Sequence, residues 1–219
     1  MTDEIIEARI GKQVGGRLCL DFTNTVRGRI GHPGSGRTRD NADRVVGERL
    51  ISYEALLRWG ANSGALTEGE VDALERVASE KPGEAVAVLE RRLAIREALY
   101  RVFKAVVEGW TPETEDLEVL NAELRVARAR ERLASTPQLG WEWDASPTAL
   151  DRVLWPVVRS AAELLTGPDL ERVGQCPGTE CGWLFLDASR SRRRRWCDMA
   201  DCGNRAKVHR FRRRHSPTG

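Results

Sequence analysis

The stretch Cys197-Asp198-Met199-Ala200-Asp201-Cys202-Gly203-Asn204-Arg205-Ala206-Lys207-Val208-His209-Arg210-Phe211-Arg212-Arg213-Arg214 decides how the C-terminal end of this chain folds. It opens with two cysteines that enclose four residues and runs into a segment that is mostly cationic. Upstream, Cys176 and Cys181 also enclose four residues, and fifteen residues separate the two pairs. Two cysteine pairs held apart by a short connection are the pattern of a four-thiolate structural zinc site, because two tight loops can each deliver two sulfurs to a tetrahedral ion. An iron–sulfur cluster uses the same ligands, and free buried cysteines or a redox pair are the metal-free alternatives. A catalytic zinc is not expected, since four thiolates leave no open position. Between the pairs, Trp183 to Asp187 reads as a strand, Ala188 to Arg192 as a turn, and Arg193 to Cys197 as the returning strand. Such a hairpin is too small to fold alone, and one bound metal contributes roughly 10 kcal/mol or more.

From Gly203 to Arg214 the spacing predicts a short helix, with Val208 and Phe211 on one face to pack on the hairpin. Arg205, His209 and Arg212 line up on one side, and Lys207, Arg210 and Arg214 on another. A helix of this width fits the DNA major groove, where arginine is the commonest specific reader of guanine. Asn204 and Arg205 would begin the reading helix. Lys207, Arg210, Arg212, Arg213 and Arg214, with Arg190, Arg192, Arg193, Arg194 and Arg195 from the hairpin, would hold phosphates. From Arg190 onward eleven Arg or Lys stand against two acids, a net +9, which leaves −7 on the rest of a chain whose total is +2. An acidic body with a basic end points to a polyanionic partner. A basic zinc module by itself does not separate DNA from RNA.

The 219-residue length suits one ordinary domain plus a small module. The composition is that of a globular protein, with no apolar run of about eighteen residues and no apolar core behind the acidic start Met1-Thr2-Asp3-Glu4. A cytoplasmic location, with no membrane partner, is the expectation. Gly15 to Val26 reads as either a strand or a buried helix, and Gly28 to Gly36 as a loop. Helices are predicted over Tyr53–Asn62, after the capping box Thr67…Glu70, from Pro82 toward Glu108, and from Thr111-Pro112 to about Leu133. Thr136 to Ser146 is expected to be a loop. A last helix follows Ser146-Pro147, kinked at Pro156 and stopped at Gly167-Pro168. Cys19, between leucines, is expected as a small buried hydrophobe. Arg27 and Arg29 either pair with nearby acids or bind an anion. The only histidine of the body is His32, and no nucleophile triad or phosphate loop accompanies it, so an enzyme is not expected.

The string Cys197 to Lys207, with Cys202-Gly203-Asn204-Arg205 intact, resembles the CGNR zinc finger, and Cys176 and Cys181 lie where that family places its first ligand pair. Leu18-Cys19-Leu20-Asp21-Phe22-Thr23-Asn24-Thr25 resembles the opening signature of the ABATE domain, which accompanies such fingers. The resemblance implies a bacterial, stress-related transcription regulator with a helical N-terminal domain. It further implies that Asp21, Asn24 and Thr25 line a ligand pocket. The residues themselves equally allow Asp21 or Asn24 to cap a helix or satisfy backbone in a turn. The expected architecture is therefore mainly α. A helical domain over residues 1–170 would sense a small molecule or hold a homodimer, and a small α+β zinc module over 171–219 would carry one structural Zn2+ and bind DNA. An RNA-binding or ribosome-associated protein, and an enzyme delivered to nucleic acid by the zinc module, are the rival readings.

Overall fold

A computed structural model describes residues 12–30, 43–135, 138–144 and 148–215. The mainly helical reading holds. The described elements are α1 (Leu18–Thr23), β1 (Val26–Ile30), β2 (Arg44–Glu48), α2 (Tyr53–Asn62), α3 (Glu68–Glu80), α4 (Pro82–Val107), α5 (Thr114–Arg128), β3 (Glu131–Ala134), β4 (Gly140–Trp143), α6 (Trp155–Thr166), β5 (Val173–Gln175), β6 (Leu184–Leu186) and α7 (Asn204–His215). The strands form three separate antiparallel pairs, β1–β2, β3–β4 and β5–β6.

Local chemistry explains most boundaries. Ser52 caps α2 by accepting from the Ala55 N–H, and Thr67 and Glu70 close the expected capping box on α3. Gly109, at φ 72°, supplies the left-handed residue that ends α4. α4 is the spine of the body. It buries Val88, Ile95, Leu99, Val102 and Phe103 against α1, α2, α3 and α5, in one core with Phe22, Trp59, Leu120, Val157 and the fully buried Cys19.

Four expectations are corrected. The segment Gly15–Val26, left open between strand and buried helix, holds the short buried helix α1 at Leu18–Thr23, while Gly28, expected in a loop, pairs with Val46 inside β1; residues 31–36 of that loop lie outside the described residues. α5 stops at Arg128 instead of Leu133, because Glu131–Ala134 pairs with the Trp-containing strand Gly140–Trp143. Trp143 of that hairpin packs against Trp155, ring centroids 5.9 Å apart. Pro156 does not kink a helix. A 3-10 turn over Leu150–Leu154 precedes it, and the proline sits in the first turn of α6, where its missing N–H costs nothing. Finally, β6 pairs with Val173–Gln175, upstream of the first cysteine, and Arg193–Cys197 forms no strand.

β6 joins the two halves of the molecule. Leu184 and Leu186 point into the main core, whereas Trp183 and Phe185 point into a second one made with the four paired cysteines and Val26 of β1. The alternation is the period of two of a strand, here buried on both faces.

Candidate metal centre and nucleic-acid interface

Cys176 and Cys181 bracket the loop between β5 and β6. The turn inside that loop is closed by the Cys181 N–H donating to Gly178 O at 2.9 Å. Gly178 lies against the sulfurs: a Cβ there would stand 3.4 Å from Cys202 Sγ and 3.7 Å from Cys176 Sγ. Gly182, at φ 58°, lets the chain leave Cys181 in a left-handed conformation. The second pair sits on a turn that starts at Asp198, whose carboxylate caps the Ala200 N–H at 2.7 Å. That turn, Met199–Gly203, is a single wide helical turn that runs into α7. Gly203 admits the Met199 thioether, which would lie 2.4 Å from a Cβ at that position.

The four thiols are buried and all lie within 4.8 Å of one another. Cys181 and Cys197 are 3.4 Å apart and Cys197 and Cys202 3.7 Å. A tetrahedral zinc with bonds of about 2.3 Å spaces its sulfurs at about 3.8 Å, so the donor set fits that ion in both chemistry and size. Crowding divides the thiols. Hydrogen bonds from Cys181 and then Cys197 draw Cys176 down to about 7. Cys202 is drawn lower still by Cys176, Cys181 and Cys197, and Arg205 Nη2 adds to this at 3.1 Å from its sulfur. The same hydrogen bonds raise Cys181 and Cys197, and zinc binding would require all four as thiolates, so it releases protons.

The cations separate into two groups. Arg194 serves the fold. Its guanidinium donates to Leu186 O (3.0 Å), Trp196 O (3.1 Å), Val14 O (2.7 Å) and Cys197 O, and it lies 4.6 Å from the Phe185 ring centroid. Four of its five N–H donors are thereby spent on backbone carbonyls, which leaves little for a phosphate. Arg192 pairs with Glu171 at 2.9 Å. In contrast Arg190, Arg193, Arg195, Lys207, Arg210 and Arg213 are exposed and make no carboxylate pair among the described residues. The body treats its buried arginines differently, as the pairing of Arg29 with Glu97 and of Arg96 with Glu48 illustrates. Arg195, Arg205, His209, Arg210 and Arg213 line a groove of about 670 Å³ between α7 and the Pro177–Cys181 turn, with Trp196 in its wall. Asn204 donates to Ala200 O at 3.0 Å, which ties its carboxamide to the preceding turn. Arg212 is exposed at the rim of a smaller depression beside Asn204 and Val208, and the side chain of Arg214 lies outside the described residues. Val208 and Phe211 do not pack on the hairpin. They are 48% and 63% exposed, because Trp183, Phe185, Val26 and the cysteines already fill that core.

Residues 16–168 match the family model described as "Putative stress-induced transcription regulator", ABATE, and residues 172–215 match the CGNR zinc finger. The chain belongs to the ABATE family and ends in a CGNR zinc finger. The four cysteines are the single zinc site of that finger. A search of curated proteins finds no match.

In the ABATE domain, the signature residues Asp21, Asn24 and Thr25 are buried and hydrogen-bonded to protein. Asp21 Oδ1 accepts from the Gly15 N–H at 2.7 Å. Burial pushes its carboxyl up to about 6, against the pull of the Gly15 and Val14 N–H groups and of Arg194. Thr25 Oγ1 donates to Phe22 O at 2.8 Å. Asn24 reaches across to the finger, donating to Leu184 O at 2.8 Å and accepting from the Leu184 N–H at 3.0 Å. Its carboxamide thus occupies the place of a missing neighbour strand beside β6.

A lattice of charged groups, not singled out by sequence reading apart from Arg29, makes the second connection between domain and finger. Arg29 forks onto Glu97 at 2.5 and 3.1 Å and lies 3.6 Å over the Tyr100 ring, while its backbone N–H donates to Cys181 O at 3.0 Å. Arg96 forks onto Glu48 with two 2.8 Å bonds and also reaches Glu97 at 2.9 Å. Burial pushes both glutamates up, but hydrogen bonds and charge from Arg96 on Glu48, and from Arg29 on Glu97, outweigh it, so both carboxyls sit below their usual range. Gln175 donates to Tyr100 Oη at 2.6 Å. The signal in the sequence is the placement of Arg92 and Arg96 one turn apart on the apolar face of α4.

Proposed function

We propose that this protein is a DNA-binding transcription regulator of the bacterial cytoplasm, connected with stress, in which the CGNR finger binds duplex DNA and the ABATE domain senses a small molecule and holds a homodimer. One observation carries the reading: among the described residues, exposed cations without a carboxylate pair are densest on the finger, at Arg190, Arg193, Arg195, Lys207, Arg210 and Arg213. Their charge would be neutralised by phosphates. Zinc, when bound, would supply the cross-link that fixes α7 relative to the Pro177–Cys181 turn; it would take part in no reaction. The ABATE domain is assigned no catalytic step. Its ion-pair lattice touches both β1 and Cys181, so an effector that shifted β1 would move the finger.

α7 spans about 18 Å at 1.5 Å per residue, enough to read only a few base pairs. Two copies on half-sites about 10 bp apart are therefore expected. The test is equilibrium binding of the zinc-loaded protein to duplex DNA across a salt series, with structured RNA as competitor. Five to eight phosphate contacts would give a log–log slope of roughly −4.5 to −7. Absence of duplex binding at low salt, preference for RNA, or affinity unchanged after chelation would overturn the reading. A monomer by sedimentation, free and on DNA, would overturn the dimer.

A further inference from the structure

We propose that the outer face of α7, centred on Val208 and Phe211, touches thymine 5-methyl groups in the DNA major groove and makes the protein selective for thymines at defined positions. The inference rests on the DNA-binding reading above and adds what that reading leaves open, the chemistry by which bases are chosen.

Three observations lead to it. The first is orientation. Arg205, Ala206, His209, Arg210 and Arg213 line the groove beside the Pro177–Cys181 turn, and so define the inner face of the helix. With 100° between successive residues, Val208 and Phe211 fall on the opposite side, flanked by Asn204 and Lys207. The second is exposure. Val208 is 48% exposed and Phe211 63%, and Met199, at the foot of the helix, is 50% exposed. The apolar side chains of the finger are thus divided between a filled core around the cysteines and a stripe on the outside of α7.

The third observation is charge, which selects the occupant. Lys207 and Arg212 lie on either side of the stripe, while Arg205, Arg210 and Arg213 face the groove on the other side of the helix. A second copy laid against this face would bring like charges together at close range, which is destabilising. A polyanion would neutralise them. Within a duplex, the apolar group that a helix in the major groove meets at the base edges is the thymine methyl, which no other base carries. The stripe therefore fits a surface that is anionic at its rim and apolar at chosen points on its floor.

The test uses 20-bp duplexes recovered by the full-length, zinc-loaded protein from a randomised pool. Each is made once with thymine and once with uracil, a change that removes methyl groups and nothing else. The wild type should bind the uracil form about fourfold more weakly for each thymine methyl that the helix covers. The double variant Val208→Ala/Phe211→Ala should bind both forms alike while keeping the wild-type salt slope. Both positions are exposed, and an unchanged zinc content checks that the finger still folds. Equal wild-type affinity for the two forms, with DNA binding intact, overturns this inference alone. Discrimination that survives in the double variant places methyl recognition elsewhere and also overturns it. A wild-type dimer that the double variant turns into monomer assigns the stripe to a contact between copies and overturns it as well. Failure of the wild type to bind any duplex overturns the DNA reading itself.

Discussion

Replacing Asn24 by alanine tests whether the ABATE signature is built for the fold or for a ligand. Its carboxamide makes two hydrogen bonds to one residue, giving a proton to Leu184 O at 2.8 Å and taking one from Leu184 N at 3.0 Å. Asn24 is 4% exposed and Leu184 fully buried, so no water replaces the missing partner. Each buried backbone group left without a partner costs about 1–3 kcal/mol, and two of them give a loss of roughly 2–5 kcal/mol after modest relaxation. In a protein of this size that corresponds to a fall in Tm of roughly 4–20 °C. Asn24→Asp keeps the shape and the acceptor but loses the donor and sets a carboxylate against Leu184 O, and should cost at least as much near neutral pH. Urea unfolding of the zinc-loaded protein, followed by tryptophan fluorescence, measures the loss. Because Leu184 lies three residues after Cys181, a chelator should also extract zinc faster from the variant. A loss below about 1 kcal/mol with an unchanged denaturant slope would refute the structural role and return Asn24 to the candidate pocket residues.

Three further outcomes are expected. Gly28→Ala places a Cβ 1.8 Å from Glu180 O, a backbone atom that cannot step aside without moving the first cysteine pair; zinc affinity measured by competition with a chromogenic chelator should fall by at least tenfold, and an unchanged affinity would show that β1 and the finger move independently. Arg194→Ala should destabilise the protein by about 3 kcal/mol or more, since it strips four backbone carbonyls of their donor, whereas Arg193→Ala should leave stability unchanged and lower the salt slope of DNA binding by about one; urea unfolding and the salt series separate the two roles, and matching effects would show that they do not differ. Asp21 has its folded-state pKa raised from 3.8 to about 6. Its contribution is therefore fully present below about pH 4 and is lost as pH rises through 6, so Asp21→Asn should match the wild type near pH 4 and exceed it by up to about 3 kcal/mol at pH 7. A difference in unfolding free energy between the two that does not change from about pH 4 to 7.5 would contradict that environment for the carboxyl.

Local chemistry makes much of the fold legible. Tyr53–Asn62, the Thr67/Glu70 capping box and the long helix from Pro82 are signalled by caps, breakers and period, all of which act within a few residues. The β3–β4 hairpin is not legible in this way, because Glu131–Ala134 carries no strong strand signal of its own and is ordered by Trp141 and Trp143 opposite it. Strand β6 is recognisable as apolar and extended, yet its partner is not the one that adjacency suggests; pairing depends on which segment the rest of the chain delivers, and here that segment is Val173–Gln175.

The zinc site and the charge asymmetry are properties of the sequence alone. Thiolate spacing and the run of cations are chemical facts that hold in any conformation bringing the two cysteine pairs together. Which cations remain available is settled by tertiary packing, which turns Arg194 inward to bind carbonyls and leaves Arg193 and Arg195 outside. Packing also brings Asn24 and Arg29 to the finger, and keeps Val208 and Phe211 off it. The cause is the same in each case. A side chain's role is set by the donors, acceptors and free volume that distant segments place around it, and sequence spacing does not carry that information.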